Sequence, residues 1–322
     1  MLKADPIVSA QLLHQLFYNI WDAVTLPANW MQGVLVKVPK KGDLTVCDDW
    51  RGIMLLSIVR QSSLQSDLEP EKIDANLRRQ QAGFRTGRSC ADHIVTLRII
   101  LKQVNELQHP LYLVFIDYEK AFDRLKSRKY VGSPDLIEAQ YEAFSCRILH
   151  DGVLSDPIRV VAGVRQGCIL SQLLFLAVID EVLIGAIDRE PNRGLLWQPI
   201  TMDHLNDFEL ADGVALLAQR RSEMQSKLDD RANPSSAAGL KINVNKTKSL
   251  DINTANASSF TVAGQAVENV ESFQYLGSQM CTKIDIGARI KKARAAFCEF
   301  KKYVEKTIRL IDAPKPEYST QT

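Results

Sequence analysis

Two aspartates, Asp117 and Asp212, stand where carboxylates could carry metal-dependent chemistry. Asp117 follows the apolar run 111–116, and Asp212 interrupts the apolar stretch 210–217. Mg²⁺ prefers hard oxygen ligands, and two-metal phosphoryl transfer needs carboxylates from separate strands to converge. The alternatives are an N-cap role for Asp117 and a simple Asp-Gly hairpin turn made by Asp212 with Gly213. The sequence alone does not show that two aspartates 95 residues apart meet.

The elements that must position these residues follow from apolar periodicity. Apolar stripes predict helices over 8–24, 91–107, 168–187 and 222–238. Alternating or continuous apolar runs predict strands within 33–43, 111–118, 239–250 and 260–267, and 53–59 is a further apolar stretch. Helices and strands without a regular βαβ alternation predict an α+β fold. The uncharged and mostly apolar run 167–179 has 13 residues, whereas a membrane span needs about 20 apolar residues. We therefore interpret it as a buried core helix.

The composition is that of a globular protein of ordinary charge. The chain has 322 residues, of which 46% are hydrophobic and 24% charged, with a net charge of +2. These values exclude a wholly disordered chain and leave nucleic-acid binding to local patches. One such patch is 283–309, where nine Lys or Arg against three Asp or Glu give +6, much of it opposite an apolar helical stripe.

The cysteines and the N-terminus bear on metal binding and on the cellular compartment. Six scattered cysteines share no CxxC spacing, which argues against zinc and favours a reducing compartment. The first residues lack the pattern of a signal peptide.

Seven segments follow one another along the chain: GVLVKVPKKGDLTVCDDWRGIMLLS, QQAGFRTGRSCADHI, FIDYEKAFD, GVRQGCILSQLLF, LADGVALL, GLKINVNKTK and FQYLGS. Taken in this order, they resemble the finger and palm motifs of reverse transcriptases from non-LTR (LINE-like) retrotransposons. The resemblance runs from about residue 30 to 310. It implies a right-hand polymerase fold with fingers at 1–109, a palm with a small mixed or antiparallel sheet packed on helices at 110–280, and the start of a thumb at 281–322.

The resemblance also implies an activity and its partners. The activity would be RNA-directed DNA polymerisation by two-metal nucleotidyl transfer, with two Mg²⁺ or Mn²⁺ ions, an RNA template, a DNA primer and a dNTP. We expect no membrane and no obligate protein partner. The family suggests an intracellular ribonucleoprotein, nuclear or cytoplasmic.

Specific residues take roles by this resemblance. Asp117 and Asp212 would bind metal, and Lys246 would be a general acid near the leaving pyrophosphate. Nucleotide binding would fall to Lys40, Lys41, Arg51, Phe122, Gln166 and Gly167, with Phe122 as the gate against a 2′-hydroxyl. Nucleic-acid contacts would come from Arg85, Arg88, Tyr275, Leu276, Gly277, Lys291 and Lys292. Three of these roles have a plainer alternative: core packing for Phe122, a solvated basic hairpin for Lys40, Lys41 and Arg51, and a surface lysine for Lys246.

The departures from the family pattern predict impaired catalysis. Gly213 stands where the family has the second aspartate of its Phe-Ala-Asp-Asp core, and Gln172 stands where it usually has proline. The stretch 124–162 is short relative to the family, no endonuclease domain is expected before the fingers, and little thumb follows. Two further hypotheses therefore stay open: a nucleic-acid-binding remnant without catalysis, and a chain that does not fold stably.

Overall fold

The structure is a computed structural model that describes residues 5–23, 25–40, 43–60, 74–124, 144–160, 163–187, 194–196, 204–254, 259–281, 290–291, 293–298 and 300–301. The helices are α1 (Pro6–Ala23), α2 (Cys90–Leu107), α3 (Ala121–Arg124), α4 (Ile169–Ile187) and α5 (Arg221–Ala237). The strands are β1 (Gln32–Pro39), β2 (Trp50–Leu55), β3 (Leu111–Ile116), β4 (Ser145–His150), β5 (Val153–Leu154), β6 (Ile158–Arg159), β7 (Leu195–Leu196), β8 (His204–Leu205), β9 (Asp207–Leu210), β10 (Gly213–Ala218), β11 (Lys248–Ile252), β12 (Thr261–Val262), β13 (Gln265–Ala266), β14 (Glu268–Asn269), β15 (Ser272–Tyr275) and β16 (Ser278–Cys281).

The central sheet has the strand order β14-β11-β3-β10-β9. Its middle strand β3 is an apolar run because both of its faces are covered. Val114 and Ile116 belong to one core cluster, with residues of α4 and α5. Leu111, Leu113 and Phe115 belong to the other, with residues of α2 and of the β15–β16 hairpin. The two-residue period of β3 thus joins two cores through one strand.

A second sheet has the order β2-β1-β4-β5, with β6 paired to β4. β1 and β2 are antiparallel, whereas β1 and β4 are parallel. β4 lies beyond residue 110 in sequence but completes the sheet of β1 and β2. The sheets therefore do not divide at residue 109, and the division into 1–109, 110–280 and 281–322 stays a prediction.

Most of the predicted elements are confirmed, with two corrections. The helices predicted over 8–24, 91–107, 168–187 and 222–238 correspond to α1, α2, α4 and α5. The strand predicted from residue 239 begins only at Lys248, because residues 244–246 form a turn. The strand predicted over 260–267 is a hairpin, because Ala263 and Gly264 both have positive φ and reverse the chain.

The basic segment 283–309 is described only in part. Residues 290–291, 293–298, 300 and 301 are helical, as predicted. Ile290, Phe297 and Phe300 of the predicted apolar stripe are exposed. Within the described ranges, no helix combines the length and the apolar character needed to cross a membrane.

Candidate active site

The central sheet brings Asp117 and Asp212 to the same end. Asp117 directly follows β3, and Asp212 directly precedes β10. β3 and β10 are antiparallel and pair Ile116 with Val214, so Asp117 and Gly213 stand one residue beyond that last pair on neighbouring strands. The two carboxylates therefore come from separate strand ends that meet.

The β9–β10 hairpin turns at Ala211 and Asp212, flanked by the pair Leu210 and Gly213. Ala211 has a φ of 54°, whereas the φ of Asp212 and of Gly213 lies outside the left-handed region. This is the pattern of a two-residue type II′ turn. The expected hairpin is confirmed, but the expected Asp-Gly turn centre is wrong, because Gly213 is already the first residue of the strand.

Asp212 is a desolvated carboxylate in a group of four charges. Burial raises its pKa above the ordinary value, and the nearby Asp117 carboxylate raises it further. The cationic side chains of Arg51 and Lys246 act in the opposite direction. Residues from four separate segments of the chain thus share one local field.

The surroundings of Asp117 hold its backbone in place and leave a carboxylate oxygen without a hydrogen bond. Its carbonyl accepts from the Asn243 amide at 2.8 Å, and its own amide donates to Thr247 Oγ1 at 3.5 Å. Asp117 Oδ2 is buried and has no hydrogen-bond partner. It lies 3.6 Å from Lys246 Nζ, and the Lys246 side chain is 70% exposed.

These two carboxylates fit a divalent cation that prefers hard oxygen ligands. The evidence is that Asp117 Oδ2 lacks a hydrogen bond and that the pKa of the neighbouring Asp212 is raised. Across the described ranges, no group of three or more His, Cys, Asp or Glu side chains is placed to hold a metal. Gly213 stands at the strand position where a third carboxylate would complete such a group.

Phe122 lies at the entrance to the core beside this end of the sheet. Its ring is half-buried and stacks on the buried Phe175, with centroids 4.1 Å apart and an interplanar angle of 9°. Phe84 meets it edge-on at 6.4 Å. Its backbone is fixed by the Val164 amide, which donates to the Phe122 carbonyl at 2.6 Å.

The loop of Gln166 and Gly167 leans on β2. The Gln166 carbonyl accepts from the Met54 amide at 2.7 Å. Gly167 has a φ of 107°, and a Cβ there would lie 2.7 Å from the Met54 carbonyl oxygen. Both the conformation and the close approach require glycine at this position.

The predicted phosphate ligands lie along the β1–β2 hairpin. The Lys40 amide donates to the Asp49 carbonyl at 2.7 Å, where the hairpin begins to open. Arg51 is exposed on β2 opposite Val38. Lys41 lies outside the described residues.

Arg85, which the sequence predicts to contact nucleic acid, has a side chain that is hydrogen-bonded within the chain. Its side chain is 6% exposed. Its guanidinium makes five hydrogen bonds inside the chain: three to Asp74, including both carboxylate oxygens, and one each to the carbonyls of Arg78 and Gln81. These bonds give Arg85 a structural role, while Arg88 is exposed.

The Tyr275–Gly277 segment is similarly divided. The Tyr275 ring is buried against Phe115, with centroids 5.2 Å apart, and burial raises the pKa of its hydroxyl. This ring therefore packs in the core, and the primer contact expected of residues 275–277 stays a prediction. Leu276 and Gly277 both have positive φ and form the type I′ turn between β15 and β16. Lys291 is exposed, and Lys292 lies outside the described residues.

Residues 80–83 form an unanticipated support for the β9–β10 hairpin. The Ala82 amide donates to the Glu209 carbonyl at 2.8 Å, and the Glu209 amide donates to the Gln80 carbonyl at 3.1 Å. The buried Gln81 Oε1 accepts from the amides of Gly83 at 2.8 Å and Ala211 at 3.0 Å. These residues lie in the quoted motif QQAGF, but residue type alone gives no signal that a glutamine will hold a distant turn.

Buried ion pairs also hold β9, the first strand of this hairpin. Arg78 pairs with Asp180, Asp207 and Glu209, and Arg231 pairs with Asp207. Asp207 and Glu209 are fully buried. Removing one partner of a buried pair leaves an uncompensated charge, so these contacts hold β9 in one position.

The chain has the right-hand polymerase fold. Structures of apo telomerase from Candida tropicalis have the same fold. The form truncated from the C-terminal domain has a TM-score of 0.54 and 15% identity, covering 85% of this chain and 59% of that one. A second apo structure has a TM-score of 0.51 and 16% identity, covering 84% and 52%.

Sequence comparison gives the family. Residues 38–280 match the model of the reverse transcriptase (RNA-dependent DNA polymerase) family, and the chain belongs to that family. The chain is 25% identical over 256 residues to the "Transposon TX1 uncharacterized 149 kDa protein" of Xenopus laevis, covering 74% of this chain and 19% of that protein. It is 27% identical over 225 residues to the Pol polyprotein of the type-2 retrotransposable element R2DM of Drosophila melanogaster, covering 62% and 20%.

The resemblance to non-LTR retrotransposon reverse transcriptases is thereby confirmed, as is the right-hand fold. The chain spans about a fifth of the length of these curated relatives.

Proposed function

We propose that this chain is an RNA-directed DNA polymerase domain whose nucleotidyl transfer is weakened at one carboxylate. The observation that carries the proposal is the meeting of Asp117 and Asp212 at one sheet end, in a single field with Arg51 and Lys246. This arrangement supplies paired carboxylates that can bind metal ions and cationic side chains that can bind phosphates. It matches the needs of phosphoryl transfer, in which positioning and electrostatics do nearly all the work.

Asp117 and Asp212 would hold two Mg²⁺ or Mn²⁺ ions. Such ions activate an attacking hydroxyl and stabilise the developing negative charge. The site would be a weak one, because Gly213 supplies no third carboxylate.

The remaining residues would bind and orient the nucleotide. The Arg51 guanidinium suits bidentate phosphate binding, with the amines of Lys40 and Lys41 beside it. The Lys246 ammonium, 3.6 Å from the Asp117 carboxylate, would donate its proton to the leaving pyrophosphate. The Phe122 ring would exclude a 2′-hydroxyl, and Gln166 with Gly167 would lie under the templating base pair.

The second candidate is a nucleic-acid-binding protein without catalysis. Gly213 favours it, because two cations and a triphosphate would face only two carboxylates. The local charge of +6 over 283–309, with Lys291 exposed, would bind the phosphate backbone of an RNA–DNA hybrid. No obligate protein partner is proposed, and a nuclear or cytoplasmic ribonucleoprotein stays a prediction.

Primer extension on an RNA template, with Mg²⁺ and with Mn²⁺, separates the two candidates. Slow extension that Asp117→Asn abolishes supports the polymerase. Binding without extension supports the second candidate, and its affinity should fall steeply between about 50 and 200 mM salt because counterions are released. Salt-insensitive binding, or none at low salt, contradicts both.

A further inference from the structure

Phe84 is an aromatic residue that combines solvent exposure with an unusual backbone conformation. Its side chain is 50% exposed. Its φ is 53°, in the left-handed region, which is an outlier for a bulky residue. Its ring meets the Phe122 ring in a T-shaped arrangement, with centroids 6.4 Å apart. Strained backbone of this kind persists where neighbouring structure imposes it, and it clusters at ligand sites.

The structure that imposes this conformation is the docking of residues 80–83 on the β9–β10 hairpin. Gln81 Oε1 links the amides of Gly83 and Ala211. Gly83 lies so close to the hairpin that an added Cβ would be 2.3 Å from the Ala211 nitrogen. Phe84 is therefore set one residue beyond a contact with the turn that carries Asp212.

The position of the ring follows from its two neighbours. The Phe175, Phe122 and Phe84 rings form a row from the core to the surface, in which Phe175 is buried, Phe122 half-buried and Phe84 half-exposed. The outer end of this row adjoins the hairpin of Asp212. The same region holds the cationic Arg51 and Lys246. An exposed aromatic face beside phosphate-binding cations suits a ligand that has both a base and phosphates.

We propose that Phe84 binds a nucleobase at this site by stacking, and that residues 80–83 hold its strained backbone ready for this contact. Stacking on an aromatic ring accepts any base, because every base has a π face. The base would come either from the template overhang or from the incoming nucleotide. The proposal rests on the function proposed above, because it takes a nucleic acid or a nucleotide as the ligand.

The test measures binding rather than turnover. A primer ending in a dideoxynucleotide, annealed to an RNA template with a short overhang, is titrated by fluorescence anisotropy with the unaltered chain and with Phe84→Gly, Phe84→Leu and Phe84→Tyr. A matching dNTP is then titrated into each complex with Mg²⁺. Tyr18→Ala, which removes an aromatic ring 62% exposed on α1, is the matched control.

The loss of one stacked base should weaken binding by about 5- to 140-fold in Phe84→Gly and Phe84→Leu. Phe84→Tyr and Tyr18→Ala should bind like the unaltered chain. The melting temperature of Phe84→Gly should be unchanged or higher, because glycine accepts a positive φ without strain. If Phe84→Gly does not fold, Phe84→Leu decides the binding comparison.

Two arms identify the base. An abasic position in the template is compared with the Phe84→Leu substitution. If it weakens binding to the unaltered chain as much as Phe84→Leu weakens binding to intact template, and Phe84→Leu loses no further affinity for the abasic template, the stacked base is that of the template. A loss confined to the dNTP titration indicates the incoming nucleotide, and both results support the proposal. If Phe84→Leu and Phe84→Gly both bind as the unaltered chain does in both titrations, the stacking proposal is overturned, while the proposed function is not. Failure of the unaltered chain to bind primer–template overturns the proposed function as well.

Discussion

Replacing Gly213 with aspartate should restore polymerisation if the site is damaged at that residue. The backbone accepts the change, because the φ of Gly213 lies outside the left-handed region and an added Cβ meets only the Leu210 carbonyl oxygen, at 3.5 Å. Residues directly opposite each other on antiparallel strands have Cβ atoms about 5 Å apart. A carboxylate at 213 would therefore stand beside Asp117 and next to Asp212.

The magnitude follows from the added charge. A unit charge about 4 Å from another, at an effective dielectric constant of about 20, contributes about 4 kcal/mol. Each 1.36 kcal/mol is tenfold in rate, and desolvation offsets part of the gain. We expect Gly213→Asp to increase primer extension by about 10²- to 10³-fold. Gly213→Asn, of similar size but uncharged, should not.

The assay compares single-nucleotide extension on an RNA template with melting curves taken with and without Mg²⁺. Without metal, three neighbouring carboxylates repel one another, so Gly213→Asp should melt below the unaltered chain. Adding Mg²⁺ should raise its melting temperature more than that of the unaltered chain, because the ion binds only the folded site. Asp117→Asn in the Gly213→Asp chain should abolish both gains.

One result would refute this reasoning. A folded Gly213→Asp protein that binds primer–template, extends nothing and shows no additional stabilisation by Mg²⁺ would mean that the carboxylates do not form a metal site. The short stretch 124–162 would then be the next suspect, and the binding function would be favoured.

Three further predictions concern the same end of the sheet. Phe122→Val, in the Gly213→Asp background, should raise ribonucleotide over deoxynucleotide incorporation by about tenfold or more, as competition between the two substrates would show; an unchanged ratio would return Phe122 to core packing. Because the pKa of Asp212 is raised above 3.8, the folded chain binds more protons than the unfolded chain between that value and the raised pKa, so stability falls as pH rises through that interval. Asp212→Asn should therefore raise the metal-free melting temperature at neutral pH, by an amount that shrinks as pH falls toward 3.8; equal melting of the two proteins at all pH values would contradict this. Gly83→Ala should destabilise the fold by about 1–3 kcal/mol because its Cβ would meet the Ala211 backbone, whereas Gly87→Ala, with open space at a φ of 73°, should cost only the conformational penalty of about 1–2 kcal/mol in denaturant melts.

The sequence predicts what depends on local pattern. The continuous apolar run of β3 indicates a strand covered on both faces, and the periodicity of α2 and α4 indicates helices that pack on it. The order of the motifs then leads to Asp117 and Asp212, because a strand end and a hairpin turn are both visible in the local sequence.

The sequence does not predict what depends on a distant partner. The turn centres on Ala211 and Asp212 because Gln81, 130 residues away, accepts from the Ala211 amide. Arg85 forms an ion pair with Asp74, and the spacing of these two residues in the sequence does not indicate that pairing. Tyr275 has the residue type of a nucleic-acid contact, but its ring lies against Phe115 in the core.

The cover that residues 80–82 give to β9 bears on how this chain can be divided. β9 is the last strand of the central sheet, and its outer backbone groups are paired only by those residues among the described part of the chain. A fragment that begins at residue 110 would expose this edge to pairing with other chains, which promotes aggregation. It would also lack Arg78, leaving the buried Glu209 without its counter-charge. The central sheet is thus completed by a segment that precedes all of its strands in sequence, and two fragments cut at residue 109 should recover solubility when they are mixed.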